Sequence, residues 1–141
     1  MAATPRSKTR AATAHTGGCL CGAVRFRTTG PLGPVSHCHC TMCRKASGAP
    51  VVTFTRVGMS EFAFTKGKPK EYRSSKGGRR GFCAKCGSQL CFMYDAKPDS
   101  IGLNVGCFDE PERLKPVRHI YSETMIPWLH MDDGLPRLRN E

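Results

Sequence analysis

Apolar and polar positions alternate along much of this chain, and the alternation predicts strands. The segment "AVRFRTT" (residues 23–29) sets Val24, Phe26 and Thr28 against Arg25 and Arg27, the period of two that buries one face of a sheet. "VVTFTRV" (51–57) repeats it. In "EFAFTKGKPKEYRSS" (61–75), Phe62 and Phe64 precede a Lys-Gly-Lys-Pro turn and Tyr72 follows it, which predicts a hairpin. "SQLCFMY" (88–94) and "SIGLNVG" (100–106) flank the turn-rich "DAKPD", with Ile101, Leu103 and Val105 on one face, and "VRHIY" (117–121) predicts a last strand. Short strands, 15 glycines, 10 prolines and no long helical period indicate an all-β fold of short antiparallel strands.

Length adds the domain count. At 141 residues, and with no internal repeat, the chain is expected to form a single domain over residues 16–141, preceded by a disordered basic extension over 1–15. That extension, "MAATPRSKTRAATAHTGG" at its fullest, is free of acids and lacks the apolar core of a secretory signal; a transit peptide is the alternative. No stretch approaches the ~18 apolar residues of a membrane span, so a soluble, cytoplasmic protein with no membrane partner is expected.

The compartment matters because there are nine cysteines. In a reducing setting their leading purpose is metal binding, not disulfides. Seven fall into three clusters: Cys19-Leu-Cys21, Cys38-His-Cys40-Thr-Met-Cys43 and Cys83-Ala-Lys-Cys86. Tetrahedral zinc at ~2.3 Å from each sulfur needs sulfurs about 3.8 Å apart. Alternate residues of a straight strand lie ~6.6 Å apart, so the first pair must bend, which Gly17, Gly18 and Gly22 permit. Gly87 stands where a tight knuckle wants a positive φ.

Seven ligands divide into four plus three. The simplest partition is a closed structural site from Cys19, Cys21, Cys83 and Cys86, and an open, labile one from Cys38, Cys40 and Cys43. His37 or His39 could close the second site, and Cys83 with Cys86 could instead serve the loop cysteines. Cys91 and Cys107 lie on apolar patterns and are expected in the core. His119 is expected to be a packed core histidine, His15 and His130 surface residues, and Trp128 a core side chain.

The formal charge of +11 would fall to about +8 with seven ionised thiols and two zinc ions. From Lys66 to Cys86 there are eight basic residues against Glu71 alone. The run is either a solvated face or a surface for an anion, phosphate or small carboxylate. With one tryptophan and 8% aromatics the chain lacks the basic and aromatic interleaving that base stacking uses, which disfavours nucleic acid without excluding it.

The motifs "GGCLCGAVRF", "CHCTMCRKASGAP", "GFCAKCGSQL", "NVGCFDEPE" and "RHIYSETMIPWL" resemble those of the glutathione-dependent formaldehyde-activating enzymes and the related centromere protein V group, over roughly residues 16–130. The resemblance implies a small tent-like zinc-binding β fold with two zinc ions per chain. It implies structural ligands at Cys19, Cys21, Cys83 and Cys86, and a glutathione-linked zinc at Cys38, Cys40 and Cys43. The reaction it implies joins glutathione to formaldehyde as S-hydroxymethylglutathione, a carbon–sulfur lyase in the reverse sense. Glutathione is anionic, so Arg79 and Arg80 become candidate substrate-binding residues through two-pronged carboxylate contacts. No general acid or base stands out among His37, His39, Asp109 and Glu110. The rival expectation is a zinc-stabilised binding module that recognises an anionic partner through its basic face.

Overall fold

The computed structural model describes residues 14–141. The expected extension lies almost wholly outside these residues, and its final position, His15, already belongs to a strand. Among the described residues ten strands form two sheets. The smaller has the order β1 (His15–Gly18), β2 (Arg25–Thr28), β5 (Phe62–Lys66), all antiparallel. The larger has seven strands in the order β10 (Arg118–Ile120), β3 (Ser36–Cys38), β4 (Val52–Gly58), β9 (Ser100–Asn104), β8 (Gln89–Tyr94), β7 (Gly78–Phe82), β6 (Lys70–Ser75). Among the described strands, β10 and β3 form the one parallel pair. Among the described residues one α-helix, α1 (Thr41–Ser47), follows β3.

The expected all-β class holds, and the period-two segments behave as read. Val24, Phe26 and Thr28 are buried, as are Ile101, Leu103 and Val105. One core joins the two sheets: Val24 and Phe26 meet Val57 of β4, Leu90 and Cys91 of β8, and Ile101 and Leu103 of β9. Cys91 is thus a core residue, and burial pushes its thiol up to about 12. Cys107 is half-buried against the same core, with its sulfur 3.2 Å from the Gln89 carbonyl.

The hairpin expected around Lys-Gly-Lys-Pro does not form. β5 pairs with β2 while β6 pairs with β7, so residues 67–69 carry the chain from one sheet to the other. Packing decides this, because Phe62 and Phe64 lie against the core while Tyr72 stays exposed on an edge strand. Gly67 makes the crossing at φ 58°, where a β-carbon would stand 2.3 Å from the Ala23 carbonyl. The true hairpin is β6–β7, with Ser75 opposite Gly78.

The seven-stranded sheet has two chemically distinct faces, set by register. Thr55 pairs with Leu103, Val57 with Ile101 and Cys91 with Leu103, and this face carries the core. On the other face Cys38 pairs with Val52, Phe54 with Asn104, and Arg56, Gly102, Phe92 and Arg80 follow one another across four strands. Helix α1 and residues 120–121 rim that second face, and the two together enclose a cavity of about 300 Å³.

Candidate metal centres and the adjoining cavity

Four sulfurs converge where the tips of β1 and β7 approach. Cys19, Cys21, Cys83 and Cys86 bring their Sγ atoms within 4.8 Å of one another, with 3.7 Å from Cys19 to Cys21 and 3.8 Å from Cys21 to Cys83. Those separations suit a tetrahedral zinc edge. Each pair sits in a knuckle closed by a backbone bond: the Gly22 N–H to the Cys19 carbonyl at 3.2 Å, and the Gly87 N–H to the Cys83 carbonyl at 2.8 Å. Both glycines have φ 79°, which an L side chain adopts only with strain. The knuckle N–H groups point at sulfur, Val24 at Cys19 and Cys86 at Cys83. The Ser88 hydroxyl and backbone hold the Cys86 thiol down to about 5.

The flanking glycines differ in purpose. Gly22 bends the chain, but Gly17 is required for room: a β-carbon there would stand 2.4 Å from the Phe26 ring and 2.5 Å from the Cys107 carbonyl.

The second cluster is built by one turn. Cys38 ends β3, and Cys40 caps helix α1, its sulfur accepting from the Cys43 N–H at 3.2 Å. Cys38 and Cys43 are 3.5 Å apart, and the three sulfurs lie within 4.8 Å of one another. Hydrogen bonds from Cys38 and Cys43 drive the Cys40 thiol down to about 2, and the Cys38 thiol is raised in turn. Three sulfurs this close repel one another once ionised, so full ionisation of the trio calls for a cation.

Neither His37 nor His39 joins this cluster. Strand alternation turns His37 away from Cys38, to Thr53 Oγ1 at 2.7 Å. His39 points to the same side, where its Nε2 meets Nδ1 of His119 at 2.8 Å, and His119 Nε2 meets Asp133 at 2.8 Å. His119 is the buried histidine the sequence suggests, though its neighbours are polar. Trp128 reverses its expectation: it is 67% exposed, because the turns after residue 124 lie on the surface and not over the core. His130 is exposed and His15 half-buried against Phe108.

The two candidate arginines part company. Arg80 is buried on the cavity face, with Nη2 3.6 Å from Cys43 Sγ and its guanidinium 4.7 Å over the Phe92 ring. Arg79, one residue earlier, takes the opposite face and pairs with Glu71 at 2.7 Å and Asp95 at 3.4 Å. Part of the basic run is therefore matched by acids, since Asp95 also binds Arg73. Asp109 pairs with Arg25 and Glu110 with Arg113, both away from the cavity lining.

Sequence reasoning missed the other polar and aromatic residues of the lining, among them Phe54, Arg56, Tyr94, Asn104, Tyr121 and Glu141. Tyr121 is the one non-glycine with positive φ among the described residues, at 51°. Burial pushes the Tyr94 hydroxyl up to about 12. Only the alternation of Val52, Phe54 and Arg56 in "VVTFTRV" signalled a second face, and it assigned no chemistry.

A family model for the glutathione-dependent formaldehyde-activating enzyme matches residues 14–124. The chain belongs to this family. A protein of Halomonas elongata, provisionally named a glutathione-dependent formaldehyde-activating enzyme, is 27% identical over 125 residues, covering 82% of this chain and 80% of that protein. A crystal structure of a Rhodobacter sphaeroides protein superposes with a TM-score of 0.55 at 18% identity, over 86% of this chain and 98% of that one. At that identity the likeness speaks for the fold. The two cysteine clusters of this chain could hold zinc, and no helix among the described residues is long and apolar enough to cross a membrane.

Proposed function

We propose that the protein joins a small thiol, glutathione by family, to formaldehyde and reverses that step, as a carbon–sulfur lyase. The observation that carries this is the opening of the three-cysteine cluster onto an aromatic-walled cavity that also holds Arg80. A closed structural site has no such access.

The donor sets fit two zinc ions, a structural one at Cys19, Cys21, Cys83 and Cys86 and a labile one at Cys38, Cys40 and Cys43. Zinc at the second cluster supplies Lewis acidity, which keeps a thiol ionised at neutral pH. A free thiol of pKa ~8.5 is only ~3% ionised at pH 7, so full ionisation gains at most ~30-fold, or about 2 kcal/mol. The remainder falls to the protein. Phe54, Phe92 and Tyr94 wall the cavity and hold the ligand in place, and Arg80 offsets negative charge at Cys43. The substrate thiol gives up its proton, its sulfur attacks the aldehyde carbon, the carbonyl electron pair moves to oxygen, and that oxygen takes up one proton from solvent in exchange for the one released; the reverse breaks the same C–S bond and returns both protons.

The adduct also forms spontaneously, so the test is a rate. Exchange between glutathione and S-hydroxymethylglutathione, followed by NMR exchange spectroscopy, is expected to quicken with zinc-loaded protein and to return to the spontaneous rate with Cys40→Ser. An unchanged rate with the wild-type protein overturns the reading.

A further inference from the structure

The cavity has a second charged end. Arg56 projects from β4 on the same face as Val52 and Phe54, its guanidinium 4.7 Å over the Tyr94 ring and 5.8 Å over Phe54. Nε donates to Glu141 Oε1 at 2.9 Å and Nη2 to Oε2 at 3.3 Å, a two-pronged hold on a carboxylate. Both side chains are largely withdrawn from solvent, and both line the cavity that Cys38, Cys40 and Cys43 line at its other end. Arg56 Nη1 is buried and has no hydrogen-bond partner among the described residues, so the guanidinium has donor capacity beyond its hold on Glu141.

We propose that Arg56 recognises a carboxylate of the thiol substrate, and that Glu141 occupies this position as an internal carboxylate which the substrate displaces. The proposal rests on reading the cavity as a thiol site. Register gives the ligand its length. Cys38 faces Val52, and Arg56 stands four residues further along β4, about 13 Å at the rise of a strand. The arginine side chain recovers part of that span, so the carboxylate must sit several bonds from the sulfur, as in a small peptide and not in a mercaptoacid. Gly102, directly between Arg56 and Phe92 in register, keeps the floor clear along this path. Exchange of one carboxylate for another leaves the buried guanidinium paired throughout, so displacement avoids stranding a charge.

The test is calorimetric binding to the zinc-loaded protein of three probes: glutathione, S-methylglutathione, which keeps the carboxylates but has no free thiol, and glutathione dimethyl ester. Glu141→Gln is expected to bind the two acids about tenfold tighter than wild type and the ester unchanged, since only the acids compete with Glu141. Arg56→Gln is expected to lose the preference for acid over ester. Equal effects on acids and ester in either variant, or no measurable binding of either acid, overturn the proposal. The two readings separate: S-methylglutathione following this pattern without thiol–formaldehyde exchange leaves Arg56 recognition standing and removes the lyase, while exchange that Arg56→Gln and Glu141→Gln do not alter removes only the role of Arg56.

Discussion

The Arg80 guanidinium lies 3.6 Å from the Cys43 sulfur and stacks over Phe92 at 4.7 Å, which places a buried cation in direct contact with the three-cysteine cluster. A hydrogen bond to a charged partner contributes roughly 1.5–3 kcal/mol. Arg80→Met, which keeps bulk and loses charge, is expected to weaken zinc retention at this cluster by about 10–100-fold. Competition with a chromophoric chelator measures it, and the four-cysteine cluster should hold its ion equally in both proteins. Arg80→Lys should recover only part, because an ammonium does not stack as a planar fork does.

The four-cysteine cluster should behave oppositely. It ties the loop after β1 to the knuckle after β7, joining segments 62 residues apart in sequence at its closest cross-pair. Binding energy at such a site is folding energy. Cys83→Ala, which also leaves a void at a fully buried sulfur, is expected to abolish cooperative thermal unfolding followed by circular dichroism. Cys40→Ser should leave a cooperative transition, since its cluster lies within one turn.

These contrasts show what the sequence made legible. Cysteine spacing and the glycines at 22 and 87 marked the knuckles, because zinc geometry is short-range and constrains residues close in the chain. Period two placed Phe26, Leu103 and Ile101 inside for the same local reason. The face opposite the core was hidden: Arg56, Phe92 and Arg80 come from three separate segments, and only strand order sets them in one row. The mistaken hairpin has the same origin, since a Lys-Gly-Lys-Pro turn says nothing about which sheet the next strand joins. Helix α1 escaped notice because seven residues carry too little period to read.

Close approach explains Gly17 and yields a sharp contrast. Its missing β-carbon would meet the Phe26 ring and the Cys107 backbone carbonyl, and the latter cannot step aside as a side chain could. Gly17→Ala is expected to cost about 1–3 kcal/mol in urea unfolding. Gly77→Ala, with nothing within 4 Å, should stay within about 0.5 kcal/mol of wild type.

Behind the three-cysteine cluster, His119 bridges His39 and Asp133 at 2.8 Å on each side. Removing the bridge leaves His39 Nε2 buried with its bond broken. His119→Ala is expected to destabilise the protein by about 1–3 kcal/mol from that polar loss alone, with a further cost from the void. Asp133→Asn, at a partly exposed carboxylate, should cost less. Chemical unfolding of the two variants at one pH gives the order, and equal losses would show that the hydrogen-bond chain, not packing, sets the cost.

Acid sensitivity can be assigned to one surface pair. Arg25 Nη1 donates to Asp109 Oδ1 at 2.9 Å and the Thr16 hydroxyl to Oδ2 at 2.6 Å, and the arginine first, then the threonine, hold the Asp109 carboxyl down to about 2 from 3.8. A carboxyl whose folded pKa is depressed stabilises the fold above its unfolded pKa and loses that contribution as pH falls toward the folded one. Because this carboxylate is 42% exposed, screening holds its contribution to about 1 kcal/mol or less. The stability gap between wild type and Asp109→Asn should therefore be constant from pH 7 to about 5 and close between about pH 4 and 2. Urea unfolding of both proteins at matched pH and zinc content measures the gap. Thiol ligands take up protons in acid in both proteins alike, so the difference isolates Asp109. Added salt should narrow the gap at neutral pH, and a gap that persisted unchanged below pH 3 would mean that Asp109 acts through Thr16 packing and not through its charge.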